Sequence, residues 1–471
     1  MQNDLTQGNL LTNIFRFSIP FFLSYFLQTL YGMGDLFIVG QYNGAEVISA
    51  VSIGSQIMHM LTVIVVGLAM GTTVMIGHFV GAKEEAKKTK TIGNSFTLFI
   101  GLSLILTGLC LIGMKAILQL LATPAPSYQE AQAYLKVCFL GIPFIVLYNV
   151  FSSIFRGLGD SKSPMLFIGV ACVLNIGLDL LLIGPLGMRA AGAAYATVLA
   201  QAGSVLFAIF HFRKMHMHLR KEDFKVEKAT LLRILKVGFP IMLQDGLIQI
   251  SFLIITMIAN QRGVQVAAAV GIVEKIISFL FLVPSSMLST VFAIASQSMG
   301  ANLLQRAQKT LFYCIGITLS YGFVVAILFQ CIAGGVVGLF THDSLVIHFQ
   351  SYRTFTKCRG LFTHDSLVIH LGTQYLRAYV LDCMAAGVHF CFSGFFAATG
   401  YSMVSFIHNI TSIIVARIPG AYFACKLFPD TLFPMGLAAP IGGLVSIVIC
   451  VIAYHMLVPK LLEQTKRENC A

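Results

Sequence analysis

Twelve long apolar stretches divide this chain, roughly over residues 14–38, 49–79, 92–121, 133–156, 165–184, 191–212, 232–259, 266–298, 308–338, 372–399, 404–425 and 434–459. About twenty apolar residues cross a bilayer core as a helix. The stretches are continuous and lack the ten-residue alternation of an outer-membrane barrel. Only 11% of the 471 residues are charged and 57% are hydrophobic. A soluble domain is about one quarter charged, so this chain lacks the polar surface to be one. The expected fold is an all-α membrane protein of twelve transmembrane helices.

The net charge of +12 raises the question of a nucleic-acid partner until the basic residues are placed. They cluster at 83–90, at Arg156 and Lys162, at 213–236, at Arg306 and Lys309, and at 460–467. These clusters fall in every second loop, which is the positive-inside pattern of a membrane protein with both termini in the cytoplasm. No nucleic acid is expected. The polar start of the chain has no basic leader or cleavage site, so the first span is expected to act as its own insertion signal. The 11 cysteines are scattered without metal-ligand spacing. A P-loop, an HExxH pair and a nucleophile elbow are all missing from the sequence, so neither ATP-driven transport nor an enzyme is expected, and no cofactor.

The charged stretch at 213–231 splits the chain into halves of six spans, an N-lobe at 1–212 and a C-lobe at 232–471. It reads as a solvated cytoplasmic connector. The halves repeat: Pro20 in RFSIPFFL matches Pro240 in KVGFPIML, Gly81 matches Gly300 at an offset of 219, and Gly159 matches Gly400 at 241. Repeats of six spans run parallel and give two pseudo-symmetric lobes, with substrate expected between them. The jump in offset has a visible source. GLFTHDSLVIH occurs at 338–348 and again at 360–370, so about 22 residues, at about 348–369, duplicate an external loop. They bring Arg353, Lys357 and Arg359 to the outer side, against the charge rule, in a loop that tolerates insertion.

Five acids fall inside spans: Asp35, Asp179, Asp245, Glu274 and Asp382. Such a group is costly unless protonated, paired or coordinating a cation. Asn175 and Asp179 lie four residues apart, on one helix face. A Gly-Pro-Leu-Gly turn returns the chain so that Thr197 reaches the depth of Asp179, and Asp35 lies at a similar depth in the first span. Pro20, with Gly32 and Gly34, weakens that first helix. A bendable helix carrying one of two neighbouring carboxylates suits a protonation or cation switch at Asp35, Asn175, Asp179 and Thr197. Asp245, with Met242, Gln249, Gln28 and Tyr31, is a candidate for the substrate cavity. Glu274 beside Lys275, and Asp382 near Arg377, read as interfacial charge pairs, and segment 10 shows no mid-span acid.

With Pro20, Asp35, FVGAK after segment 2, FRGLGDSKSPM after segment 4 and NIGLDLLLIGPLGMRAAGAAYATVLAQ across segments 5 and 6, the chain resembles a multidrug and toxic compound extrusion (MATE) transporter over nearly its whole length. The resemblance implies a V-shaped, two-lobe exporter of amphipathic, often cationic small molecules. It would sit as a monomer in the lipid of the inner (plasma) membrane and use H+ or Na+ by alternating access. It assigns Asp35, Asn175, Asp179 and Thr197 to a first-lobe ion site. Other members use acids in segments 7 and 10. A lipid-linked saccharide flippase of the same wider superfamily is the alternative, and would carry a more basic cavity.

Overall fold

The computed structural model describes residues 4–341 and 366–470, apart from 122, 216 and 218. Most of the duplicated stretch at 348–369 therefore lies outside the described residues. Among the described residues the regular structure is helical throughout: α1 Leu10–Tyr42, α2 Ala45–Gly81, α3 Glu85–Leu120, α4 Ala125–Leu140, α5 Ile142–Gly157, α6 Lys162–Ile183 and α7 Arg189–Lys214. After a short 3₁₀ turn, Lys221–Phe224, come α8 Lys228–Asn260, α9 Val264–Leu280, α10 Leu282–Gly300, α11 Leu304–Thr341, α12 Ser366–Tyr379 and α13 Asp382–Ala398. The chain ends with α14 Ser402–Ser412, a π-helical turn Ile413–Arg417, α15 Ile418–Leu427 and α16 Phe433–Cys470.

Nine of these helices are long and apolar enough to cross a membrane, or up to twelve with three bent pairs. The bends lie between α4 and α5 (49°), α9 and α10 (42°), and α12 and α13 (40°). Pro143 and Pro284 follow two of the breaks, where a missing N–H interrupts the hydrogen-bond ladder. The third has no proline. There Asp382 opens the new helix, its carboxylate on the positive end of the dipole. Apolar side chains such as Ile112, Val173 and Leu206 point outward, as they do where lipid is the solvent.

The internal repeat is written into the backbone. Lys83 and Asn302, 219 residues apart, both adopt the left-handed conformation, at φ 57 and 58, and Gly159 and Gly400 share φ 81 and 85. The closest approach follows the same offset. A Cβ on Gly81 would sit 1.9 Å from the Gln297 carbonyl oxygen, and one on Gly300 would sit 1.9 Å from that of His78. Gln297 lies 219 residues beyond His78, so the ends of α2 and α10 cross reciprocally, each glycine beneath the other's carbonyl.

By contact density the chain forms two units: Met1–Leu243 with Phe292–Ala307 and Ala398–Gly400, and Gln244–Val291 with Gln308–Ala397 and Tyr401–Ala471. The first packs around Phe99, Phe139, Phe155 and Phe167, the second around Val273, Val337, Leu376 and Cys383. The connector is largely exposed and is anchored at a few points. Asn94 donates to the carbonyls of Asp223 and Lys225, both at 3.1 Å, and accepts from the Glu227 N–H at 2.8 Å. Gly93 leaves room for this, since a Cβ there would meet the Asp223 carbonyl at 2.3 Å. Lys90, 2.8 Å from Glu227, holds that carboxyl below the usual range together with the Thr230 hydroxyl.

Candidate functional site

Helices α1, α6 and α7 pack against one another in the first unit and carry the predicted residues inward. Asp35 is 6% exposed, while Asn175 and Asp179 are fully buried. Thr197 donates to Asp35 Oδ2 at 3.4 Å. Asp179 and Asn175 stand close to Asp35, and Tyr31, one helical turn before it, stands close to Thr197. The structure thus brings all four residues together, with Tyr31 beside them.

The arrangement leaves polar atoms converging without partners. Asp35 Oδ1, both Asp179 oxygens, the whole Asn175 amide head and the Tyr31 hydroxyl are buried with no hydrogen bond. Native interiors satisfy such groups, so each unsatisfied one calls for an explanation. Two facing carboxylates with amide and hydroxyl oxygens form a hard donor set, suited to a proton or a small hard cation. Among the described residues no three His, Cys, Asp or Glu side chains are grouped to hold a metal, so a soft-metal centre has no ligands there. In α1 the Ser24 hydroxyl donates to the Pro20 carbonyl at 2.7 Å, and a Cβ on Gly32 would meet nothing within 4 Å. The helix therefore has both a broken ladder and free space beside it.

The other expected residues are more dispersed. Gln28 is exposed, Met242 packs against the first unit's core, and Asp245 and Gln249 are half-buried on α8. Gln244 Nε2 lies 3.5 Å from Asp245 Oδ1.

In the second unit the expected pairs are corrected. Asp382 does not pair with Arg377, which is exposed; it pairs with Arg417 at 3.3 Å. Nor does it lie at the outer end of its segment. It stands at the break between α12 and α13, so segment 10 does carry a mid-span acid. Those helices extend from Ser366 to Ala398, and the acid stands midway because a bent span hides its length from a count of apolar residues. Glu274 turns away from exposed Lys275 and accepts from Thr256 at 3.4 Å. Arg417 is the buried charge that the acids of the spans do not point to. An arginine inside the apolar run 404–425 was the available signal.

A sequence model of the MatE family matches residues 20–181, 240–352 and 356–423. The chain is 28% identical over 359 residues to the probable multidrug resistance protein YoeA of Bacillus subtilis, covering 72% of this chain and 77% of that one. It is 25% identical over 433 residues to the multidrug export protein MepA of Staphylococcus saprophyticus, covering 90% and 89%. Among solved structures, a MATE protein in complex with MaL6 superposes with a TM-score of 0.87 at 23% identity, covering 98% of this chain and 99% of that one. A MOP superfamily transporter from Pyrococcus furiosus gives 0.87 at 23% identity, covering 97% and 98%.

Proposed function

From the premise that this chain belongs to the MatE family, a family of multi-pass membrane transporters, we propose that it is a cation-coupled antiporter exporting amphipathic organic cations. Relatives named for multidrug resistance and export support the substrate class. The observation that carries the coupling is the convergence of Asp35, Asp179, Asn175 and Thr197 around unpartnered buried oxygens. H+ or Na+ is the coupling substrate.

The physics of the site gives it two states. Two bare carboxylates about 4 Å apart repel by about 4 kcal/mol at an effective dielectric of 20. A bound proton or Na+ removes that repulsion and lets α1 close on α6. Release restores it, and α1, weakened at Pro20, is the element that yields. A ligand that binds one arrangement better than the other shifts the balance by its differential affinity, which is how the ion gradient drives export. The chain would work as a monomer in the plasma membrane with both termini cytoplasmic. Asp245 on α8 would attract the substrate's positive charge.

The test is ethidium efflux from proteoliposomes of the full chain under an imposed H+ or Na+ gradient. Efflux should stop when the active gradient is collapsed. Efflux indifferent to both gradients would refute the antiport reading.

A further inference from the structure

The second unit holds a charged cluster that this mechanism does not use. Arg417 donates to Asp382 Oδ2 at 3.3 Å and to the Tyr379 hydroxyl at 3.0 Å, and the Phe252 ring lies 5.1 Å from its guanidinium carbon. Thr256 is four residues beyond Phe252, hence on the same face of α8, and donates to Glu274. Guanidinium and Glu274 therefore flank one turn of α8, about 6 Å apart along its axis. Asp382 pairs with the guanidinium directly, and Glu274 lies across the turn from it. Asp382 is 2% exposed with Oδ1 unpartnered, and Arg417 Nε is likewise buried without a hydrogen bond.

The local backbone is built around this cluster. A Cβ on Gly443 would stand 2.8 Å from Asp382 Oδ1, and one on Gly442 would stand 3.5 Å from Arg417 Cβ. Arg417 closes the π-helical turn, a feature concentrated at functional positions. The repeat then locates the cluster. At the 241-residue offset Tyr134 and Cys138, whose surroundings include Asp35, correspond to Tyr375 and Tyr379. At the same offset Arg417 corresponds to Ile176, the neighbour of Asn175, and Asp382 corresponds to Gly141, at the matching helix break of the first half.

We propose that Arg417 is a resident cation, whose guanidinium fills in the second unit the place that a proton or Na+ takes between Asp35 and Asp179 in the first. The chain then loads its coupling ion in one unit only. This rests on the reading of the first-unit cluster as the ion site. Removing the guanidinium while keeping Asp382 and Glu274 should open a second site for a monovalent cation or proton.

The test is made on the purified full chain in an Asp35→Asn/Asp179→Asn background, which silences the first site. Melting is followed in NaCl against choline chloride at equal ionic strength, and at falling pH. The charged and titratable groups facing the guanidinium are Asp382, Glu274, Tyr375, Tyr379 and, beyond them, His389. The background should be indifferent to Na+ and nearly so to acid. Adding Arg417→Gln should make melting cation-dependent, with Na+ or acid raising it by on the order of 5 °C. Adding Asp382→Asn and Glu274→Gln as well should abolish that dependence. An Arg417→Gln protein that folds and stays indifferent overturns the proposal, as does a background already dependent on Na+. If Arg417→Gln yields no folded protein, Arg417→Gln/Asp382→Asn should recover it, and failure there overturns the proposal too. Ethidium efflux by the unaltered chain is measured in parallel; its independence of ion gradients would refute the antiport reading, while the melting series tests the arginine separately.

Discussion

In the first unit Asp35 and Asp179 stand close together, and among the described residues neither forms an ion pair. In the second, Asp382 has Arg417 at 3.3 Å, with Tyr379 and Phe252 against the same guanidinium. Both sites are buried, both belong to apolar helices, and the repeat relates their surroundings. The difference is a tethered cation. A buried acid with a resident partner is satisfied at all times, and disturbing it costs stability. A buried acid pair without one must take its partner from solution, which makes it responsive. On the proposed reading, what separates the two sites is whether the counter-charge can leave.

The largest effect should come from the responsive pair. Asp179→Asn keeps the shape and removes a charge, so gradient-driven ethidium efflux should fall on the order of 100-fold or more. The melting temperature should hold or rise, because a repulsion is removed with the charge. Asp35→Asn should behave in the same way. Efflux and melting measured on one preparation check this, and near-normal efflux by Asp179→Asn would break the comparison at its first term.

Asp382→Asn should show the reverse pattern. It leaves Arg417 buried with only the more distant Glu274 opposite, which costs up to about 3–5 kcal/mol, the range for breaking a buried pair. The expected loss is therefore in folded yield and melting. Asp382→Asn/Arg417→Gln should recover most of it, since replacing both partners of a pair costs less than removing one. A double variant no better than the single would show that the ion pair is not what makes Asp382 matter.

Most of the fold was legible in the sequence because apolar length is a direct physical signal in a membrane. The lobe repeat was legible because glycines at close crossings leave fixed offsets, as Gly81 and Gly300 do. Asp35, Asn175, Asp179 and Thr197 could be grouped by depth alone, since helical rise converts sequence distance into height. Asp382 and Arg417 could not. Their pairing depends on the α12–α13 break and a π-helical turn, neither of which changes the apolar pattern. The anchoring of the connector was hidden for a related reason: Asn94 reaches it from the start of a sequence that reads as an ordinary span.

Gly443→Ala sharpens the second term of the comparison without touching a charge. The added Cβ would stand 2.5 Å from Ala385 Cβ and 2.8 Å from Asp382 Oδ1. Relieving that overlap should cost about 1–3 kcal/mol, read as lower melting. If the first unit alone loads the ion, as proposed, ion dependence of efflux per folded molecule should stay the same. A changed ion dependence would tie the second unit to coupling directly.

The smallest effect should come from Thr197→Ala, which asks whether the neutral ligands of the first unit matter beside its carboxylates. Thr197 donates to Asp35 at 3.4 Å, well beyond the usual 2.7–2.8 Å of an O–H···O bond. A bond that long sits at the weak end of the 0.5–1.5 kcal/mol that hydrogen bonds contribute. The hydroxyl oxygen also lies beside Asp35, whose Oδ1 is unpartnered, so it can complete the shell of a bound cation. Losing about 0.5–1 kcal/mol of ion affinity corresponds to a rise of about 2–5-fold in the ion concentration for half-maximal efflux. The maximal rate should be kept. Thr197→Ser restores the oxygen and should return the value to normal. If Thr197→Ala instead stops efflux as completely as Asp179→Asn, the hydroxyl is an obligatory ligand. The contrast between the units would then lie in the whole oxygen shell rather than in the missing cation.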